Sequence, residues 1–511
     1  MSDSIREIAS TLNPDEIHEF KRFIKQSRDR GNGKDILLLE VLLGEEELSK
    51  KELSLRLYPN GNTVAYQALR KRLTRMLNRF IALKLMDHDS SNTSQVLSLV
   101  NMSRYLYSHH LPHQGWKYLR KAERAALNND LFEILNTVYV MQIQQMPADS
   151  KEFNQEEIIE RWKENKKRLV KNEQGEIALS IISKKILSAH SSGKYESIDS
   201  LIRNTLKELN FSEDYLLQPR FVYHISSVNR KRLSLEKDYF SLEPFLINQY
   251  NAIKDQSGFQ SKHNYYKLGF LYMICHTLYR NKKFSQALGY HEQLERELQT
   301  APKVLINEFG PKARLLGASL LLFKREIENS LRLLEQGLQS ENWTLSQKLR
   351  LNFIVNIGIV QFYQKKYSDA NKTLRLINHS DKWCEKIMGA EWVMKKNLME
   401  VLLYFELSEF SLVDSRINYL LRSFRKLLQA PKYARVKTYL KLLRKLAAAP
   451  DQGSIEDLAG KVETSFEWIS IAQEDLQAMA FYAWLKAKLL QRGHYDVLLE
   501  IAGEVEASTQ S

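Results

Sequence analysis

Residues 362–374, FYQKKYSDANKTL, hold the pattern that decides the fold. Two rings end one helical run, a short polar segment follows, Tyr367 opens the next run, and the small residue Ala370 stands three places on. The same order recurs in LYRNKKFSQAL (278–288), YFELSEFSLVDSRI (404–417), SAHSSGKYESIDSLI (188–202) and LLQRGHYDVLL (489–499). The residue three after the aromatic gives the markers Ile198, Leu242, Ala287, Ala370, Val413 and Leu498, with Ser330 midway between Ala287 and Ala370. Weaker copies fall at Trp116, Ile158 and Ile455, and the ten markers are then 40 to 45 residues apart. A fixed period of this size signals stacked helix pairs, because one pair cannot bury its apolar face alone.

Composition agrees with a helical array. The 511 residues are 43% hydrophobic and 27% charged, and they contain only 19 Gly and 10 Pro. Sheet proteins need turn residues at every hairpin, so this scarcity favours long helices. The two cysteines, Cys275 and Cys384, are too few for a disulfide framework or a cysteine-based zinc site, and read as unpaired thiols of a reducing compartment. The start MSDSIREIAS lacks a secretory pattern, and the most apolar run, LLGASLLLF (315–323), is too short to span a membrane. These features predict a cytoplasmic protein without membrane insertion. The net charge of +14 is uneven: +5 over 1–250, +16 over 251–450 and −7 over 451–511. A basic field of this size attracts acidic proteins, nucleic acid or anionic lipid without choosing among them. The acidic end is expected to fold back on, or stack against, the basic middle, with the last residues, 503–511, fraying.

On these residues the chain resembles the tetratricopeptide family. In the stretch 351–377, Gly358 falls at the family's helix-A glycine, Tyr367 at its turn aromatic and Ala370 at its helix-B alanine. In the preceding clear copy Phe284 and Ala287 take the last two roles, and Cys275 replaces the glycine. The units here are longer, at about 42 residues, than the roughly 34 of the family, whose tryptophan and terminal proline are mostly missing. The resemblance covers roughly 94–511 and extends to bacterial proteins of similar build. It implies an all-α fold: a right-handed α-α superhelix, a solenoid over 94–502, behind a small helical module at 1–86. It also implies that the first helix of each pair lines a concave face. The family's inward positions carry over to Tyr272, His276, Tyr279 and Arg280, then Lys312, then Asn352, Ile359 and Phe362, then Lys395 and Phe405. Some of these rings are equally suited to packing between long helices.

The first 86 residues read as four helices. Asn13-Pro14-Asp15-Glu16 and the Ser49/Glu52 pair are start signals, and Gly31-Asn32-Gly33 and Gly44 are stops. Tyr58-Pro59-Asn60-Gly61 is a turn, and the helix from about Thr63 to Leu85 carries Leu69, Leu73, Met76, Phe80 and Leu83 on one stripe. The last two helices resemble a helix-turn-helix unit, with Lys71, Arg72, Arg75 and Arg79 on the helix that would read nucleic acid. The alternative for these cations is a solvated face. DHDSSNT (87–93) is a linker.

No motif assigns a reaction. His109, His110 and His113 lack a third acidic ligand and adjoin Pro112, so no metal site is expected. No phosphate-binding, dinucleotide-binding or nucleophile-elbow motif is present. The sequence therefore predicts a non-enzymatic scaffold or adaptor without cofactor, holding an acidic peptide or helical segment of a protein partner. The alternative is a nucleic-acid-binding regulator that uses the N-terminal module.

Overall fold

In the computed structural model, residues 3–12, 14–26, 32–44, 50–88, 92–146, 154–192, 198–236, 239–256, 258–341, 343–430, 433–448 and 476–510 are described, and every regular element among them is helical. The chain divides into two compact units, residues 1–170 and 171–511.

The first unit holds α1 (Ser4–Ala9), α2 (Pro14–Gln26), α3 (Asn32–Leu43), α4 (Lys50–Leu57), α5 (Thr63–His88), α6 (Asn92–Ser108), α7 (Pro112–Asn128), α8 (Phe132–Gln144) and the first part of α9 (Gln155–Ser192). Two separate apolar cores form within it. The earlier core gathers Phe20, Ile24, Leu38, Leu42, Leu53 and the α5 residues Tyr66, Leu69, Leu73, Leu77 and Phe80. The α5 stripe ends there, since Leu83 is exposed. Helix α1 was not foreseen; the Asp3 carboxylate caps it by accepting from the Ile5 and Arg6 amides. Asn32 and Gly33, read as a stop, instead open α3. The expected caps Asn13 and Ser49 lie outside the described residues. The later core packs Val96, Val100, Trp116, Leu119, Val138 and Ile158.

The second unit continues with α10 (Ile198–Glu208), α11 (Pro219–Glu236), α12 (Tyr239–Gln256), α13 (Asn264–Arg280), α14 (Phe284–Gln299), α15 (Lys303–Phe323), α16 (Ile327–Gln339), α17 (Gln347–Tyr363) and α18 (Tyr367–Leu374). After these come α19 (Asp381–Met388), α20 (Ala390–Glu406), α21 (Phe410–Ser423), α22 (Arg425–Leu428), α23 (Ala434–Ala448), α24 (Leu476–Leu489) and α25 (His494–Gln510). Consecutive helices pack as pairs: α13 on α14, α15 on α16, α17 on α18, α20 on α21 and α24 on α25.

One turn closes these pairs. Lys282, Arg325, Lys365, Ser408 and Gln491 adopt left-handed backbone, with φ between 52° and 65°. The amide after each reaches back to a carbonyl five residues earlier, as in Lys283 to Leu278, Glu326 to Leu321 and Lys366 to Gln361, each at 2.9 Å. This caps orphan carbonyls at the helix end and reverses the chain. The second helix then starts at Phe284, Ile327, Tyr367 or Phe410, so Ala287, Ser330, Ala370 and Val413 fall at its fourth position, all buried. There the two helices of a pair touch. The Cys275 thiol donates to the Ala287 carbonyl at 3.3 Å, and the Ser330 hydroxyl donates to the Ala318 carbonyl at 2.7 Å. A Cβ on Gly358 would sit 3.1 Å from Leu374. The aromatic that opens the second helix packs on rings around it: Phe284 stacks on Phe323 at 4.4 Å, and Tyr367 meets Phe362 edge-on at 5.2 Å.

The pair α24/α25 is placed differently from a simple next layer. It lies across the first helices of earlier pairs. The Tyr495 hydroxyl donates to the Leu322 carbonyl in α15, and the Tyr363 ring of α17 meets His494 at 4.9 Å and Tyr495 at 5.6 Å. On α20 the Glu406 carboxylate accepts from Trp484 Nε1 and pairs with Lys488, both at 2.7 Å. Leu476, Met479, Ala483, Leu498 and Ile501 join the same core as helices α9 to α15. The contact is thus mainly apolar, and its ion pair has a cation on the C-terminal pair and a carboxylate on α20, the reverse of the polarity the charge asymmetry suggested. Helix α25 runs on to Gln510, past the expected end near 502.

The turn geometry is testable. Lys365 is exposed and left-handed, a conformation that strains an L-residue by about 1–2 kcal/mol. Lys365→Gly should raise the denaturation midpoint, with a gain of about 1 kcal/mol once the freer unfolded chain is counted. A fall in the midpoint would contradict the turn.

Candidate partner-binding face

The first helices α13, α15, α17 and α20 carry the cations and rings singled out in the sequence, but they distribute them over two neighbourhoods. The later one is filled by the chain itself. Tyr279, Ile359, Phe362 and Lys395 surround a residual cavity of about 140 Å³ whose remaining wall includes Ala480, Phe481, His494 and Leu498 of the C-terminal pair. Phe362 is fully buried there, and Phe405 packs edge-on against Trp484 at 5.1 Å. Burial holds the His494 imidazole down at about 4, so it stays neutral and bonds through Nε2 to the Ala480 carbonyl at 2.8 Å. Asn352 accepts from the Trp392 indole at 3.1 Å, and Lys395 pairs with Glu391 at 3.1 Å. These six positions, Tyr279, Asn352, Ile359, Phe362, Lys395 and Phe405, serve packing.

The earlier neighbourhood is open. A cavity of about 350 Å³ is built from successive turns of four first helices: Tyr223, Ser227 and Arg230 of α11, Gly269, Tyr272 and Met273 of α13, Glu308, Phe309 and Lys312 of α15, and Leu349 of α17. Helical spacing places each set on one face. Any Cβ on residue 269 would overlap the Tyr223 ring, so Gly269 lets that wall stand where it does. Tyr223 also packs edge-on against Tyr265 and Phe270, each at 5.7 Å. The Arg230 guanidinium lies 5.5 Å from the Tyr272 ring centre, and Lys312 pairs with Glu308. Tyr272 and Lys312 are thus brought together, while Arg280 turns away to lie 4.8 Å from the Tyr239 ring centre. His276 lies between; burial, then Arg230 and Arg280, push its imidazole well below the usual range, so it carries no charge near neutrality. Arg230 and Tyr223 were missed in the sequence, because the family's inward positions were carried over only from Tyr272 onward. Their signal was the run VNRKRL (228–233), whose Arg230 stands 42 residues, one period, before Tyr272.

On α5 the four candidate cations separate. Arg72 is committed to the fully buried Asp35, with Nε to Oδ1 at 3.0 Å and a second nitrogen to Oδ2 at 2.7 Å. A fork of this kind ties α5 to α3. Lys71, Arg75 and Arg79, spaced by four, form an exposed stripe. His109, His110 and His113 are exposed around the turn before α7. Among the described residues no group of three His, Cys, Asp or Glu side chains could hold a metal ion, and no helix is long and apolar enough to cross a membrane.

A third polar site was not legible. Lys396 of α20 bridges Asp381 and Glu400, both at 2.9 Å, and Arg416 of α21 reaches Glu400 at 3.0 Å and Asn397 at 3.1 Å. These groups border a cavity of about 430 Å³ with Arg375, Tyr404 and Tyr419. Burial alone would raise the Asp381 carboxyl, but Lys396 and Asn397 outweigh it and hold it below the usual range; burial would likewise lower Lys396, and the two carboxylates raise it. The cluster satisfies itself and joins α19, α20 and α21.

A comparison with protein-family models finds no match to the chain, and a comparison with curated proteins finds no significant one.

The cluster predicts a pH dependence. A carboxyl depressed in the folded chain contributes stability above its unfolded value of about 3.9 and loses it as pH falls through the folded value. Asp381→Asn should therefore lower stability at pH 7 and flatten the acid limb below about pH 4. Lys396→Met, which leaves two carboxylates facing each other, should destabilise by about 3–5 kcal/mol at pH 7. Urea midpoints at pH 3, 4 and 7 check both; equal acid limbs for wild type and Asp381→Asn would count against the ion pairs.

Proposed function

We propose that the chain is a tetratricopeptide-like helical repeat protein, its pairs stacked into a right-handed superhelix, that acts as a scaffold or adaptor for a protein partner. In this reading it binds and does not catalyse. The observation that carries it is the open cavity across α11, α13, α15 and α17, where rings and cations from three successive first helices converge and Leu349 of the fourth closes the wall. Rings supply contact area with little entropy to lose, and cations select acidic segments. The shared turn and the buried markers support the repeat. The α24/α25 seat supports helices as ligands, since the same row of first helices already accepts one helical pair. The free thiols Cys275 and Cys384 fit a cytoplasmic setting.

The second reading, a nucleic-acid-binding regulator, is favoured by one observation, the exposed stripe Lys71, Arg75 and Arg79.

Fluorescence anisotropy with acidic, neutral and basic helical peptides, and with single- and double-stranded oligonucleotides over a salt series, separates the two. The scaffold reading expects the acidic peptides to bind and Tyr272→Ala with Lys312→Glu to weaken them at least roughly tenfold. Tight oligonucleotide binding, steeply weakened by salt and abolished by Lys71→Glu, Arg75→Glu and Arg79→Glu, would overturn it. Arg72 is left intact in that variant because of its bond to Asp35.

A further inference from the structure

The cations of the second unit that are half-buried on inner helix faces are, with few exceptions, matched. Lys267 pairs with Glu297 at 2.6 Å, Lys283 with Glu243 at 2.8 Å, Lys396 with Asp381 at 2.9 Å, and Lys312 with Glu308. Arg230 and Arg314 lie beside rings instead, and of the two Arg230 opens on the cavity across α11, α13, α15 and α17. The Arg230 guanidinium is half-buried, rests beside the Tyr272 ring and has no carboxylate partner among the described residues. A guanidinium in such a place has lost part of its hydration, so an incoming anion meets a stronger field than at an exposed site. The cavity wall carries two cations and one carboxylate, which leaves one positive charge to be matched. His276 adds none, being held neutral, and its Nδ1 is buried without a hydrogen-bond partner.

We propose that Arg230 is the receptor for a single carboxylate, and that the ligand is a peptide carboxylate flanked by an apolar or aromatic side chain. The fork of Arg230 takes the two carboxylate oxygens. Ser227 and Tyr272 line the same space, and their hydroxyls supply further donors, Ser227 by turning from the Met273 sulfur that it meets at 3.9 Å. Tyr223, Phe309 and Met273 form the apolar wall for the flanking side chain. One uncompensated charge selects a monoanion over a phosphate dianion, since the second charge would face Glu308 unmatched. This rests on the scaffold reading for the origin of the ligand, but the pocket can be tested without it.

The experiment is saturation-transfer NMR with calorimetry on the full chain and small probes. N-acetylphenylalanine presents a terminal carboxylate, and N-acetyl-glutamyl-phenylalaninamide presents a side-chain carboxylate. Phenyl phosphate is the dianion, and N-acetylphenylalaninamide the neutral control. At least one carboxylate probe is expected to bind roughly tenfold or more tightly than the neutral control and phenyl phosphate, and the better of the two says whether the natural ligand is a chain terminus or an acidic side chain. Arg230→Met should abolish this preference, and Arg230→Lys should keep it in weakened form, because a point charge replaces the fork. Unchanged circular dichroism and thermal midpoints secure the fold of both variants. Equal binding of the carboxylate and its amide, preference for phenyl phosphate, or a preference that survives Arg230→Met would overturn the proposal. If acidic peptides bind the chain regardless of Arg230, the scaffold reading stands and the carboxylate receptor falls. If the small carboxylates bind through Arg230 and no peptide does, the receptor stands and the scaffold falls.

Discussion

The burial of α24/α25 across the first helices of earlier pairs is the interaction on which the second unit depends. A stack of helix pairs leaves its row of first helices with an apolar face and nothing to cover it, and an exposed apolar surface of that length is unstable in water. Here the chain returns from its far end and covers it. Trp484 is fully buried, and its indole proton is taken by Glu406, a carboxylate that also holds Lys488. A buried carboxylate is tolerated only when it is paired and hydrogen-bonded, so Glu406, Trp484 and Lys488 fix the hairpin in one register. Tyr495 and His494 fix it again on α15 and α17.

Much of the helix-pair order was legible because it is local. The residues that make a turn and the residue that lets two helices touch lie within about one dozen positions of each other, as Cys275 and Ala287 or Ala318 and Ser330 do. Local spacing survives in sequence as a pattern. The left-handed residues were not legible: lysine, arginine, serine and glutamine hold the position that glycine usually marks, and the reversal is fixed by backbone bonds rather than by residue type. The candidate face was half legible. Tyr272 and Lys312 share a cavity as the family-like positions implied, whereas Phe362 and Lys395 are used in seating the hairpin. That difference comes from a contact spanning 173 residues, Tyr495 to Leu322, which no local pattern encodes.

Charge was the weakest guide. The basic excess over 251–450 and the acidic end suggested electrostatic folding back. The hairpin does return, but apolar side chains carry the contact. Arg72, grouped in the sequence with Lys71, Arg75 and Arg79, is a structural fork on Asp35. The cations that matter chemically are those that packing leaves unmatched, and only a three-dimensional pairing separates Arg230 from its matched neighbours.

The most direct test is native-state hydrogen exchange on the full chain carrying Trp484→Ala. Removing a buried tryptophan destabilises by about 3–5 kcal/mol, and here it also strips Glu406 of a donor. If the hairpin is part of the core of the second unit, amides of α13, α15, α17 and α20 lose protection together with those of α24 and α25. If faster exchange is confined to residues 476–510 while those four helices keep their protection, the hairpin is an appendage and the account is wrong.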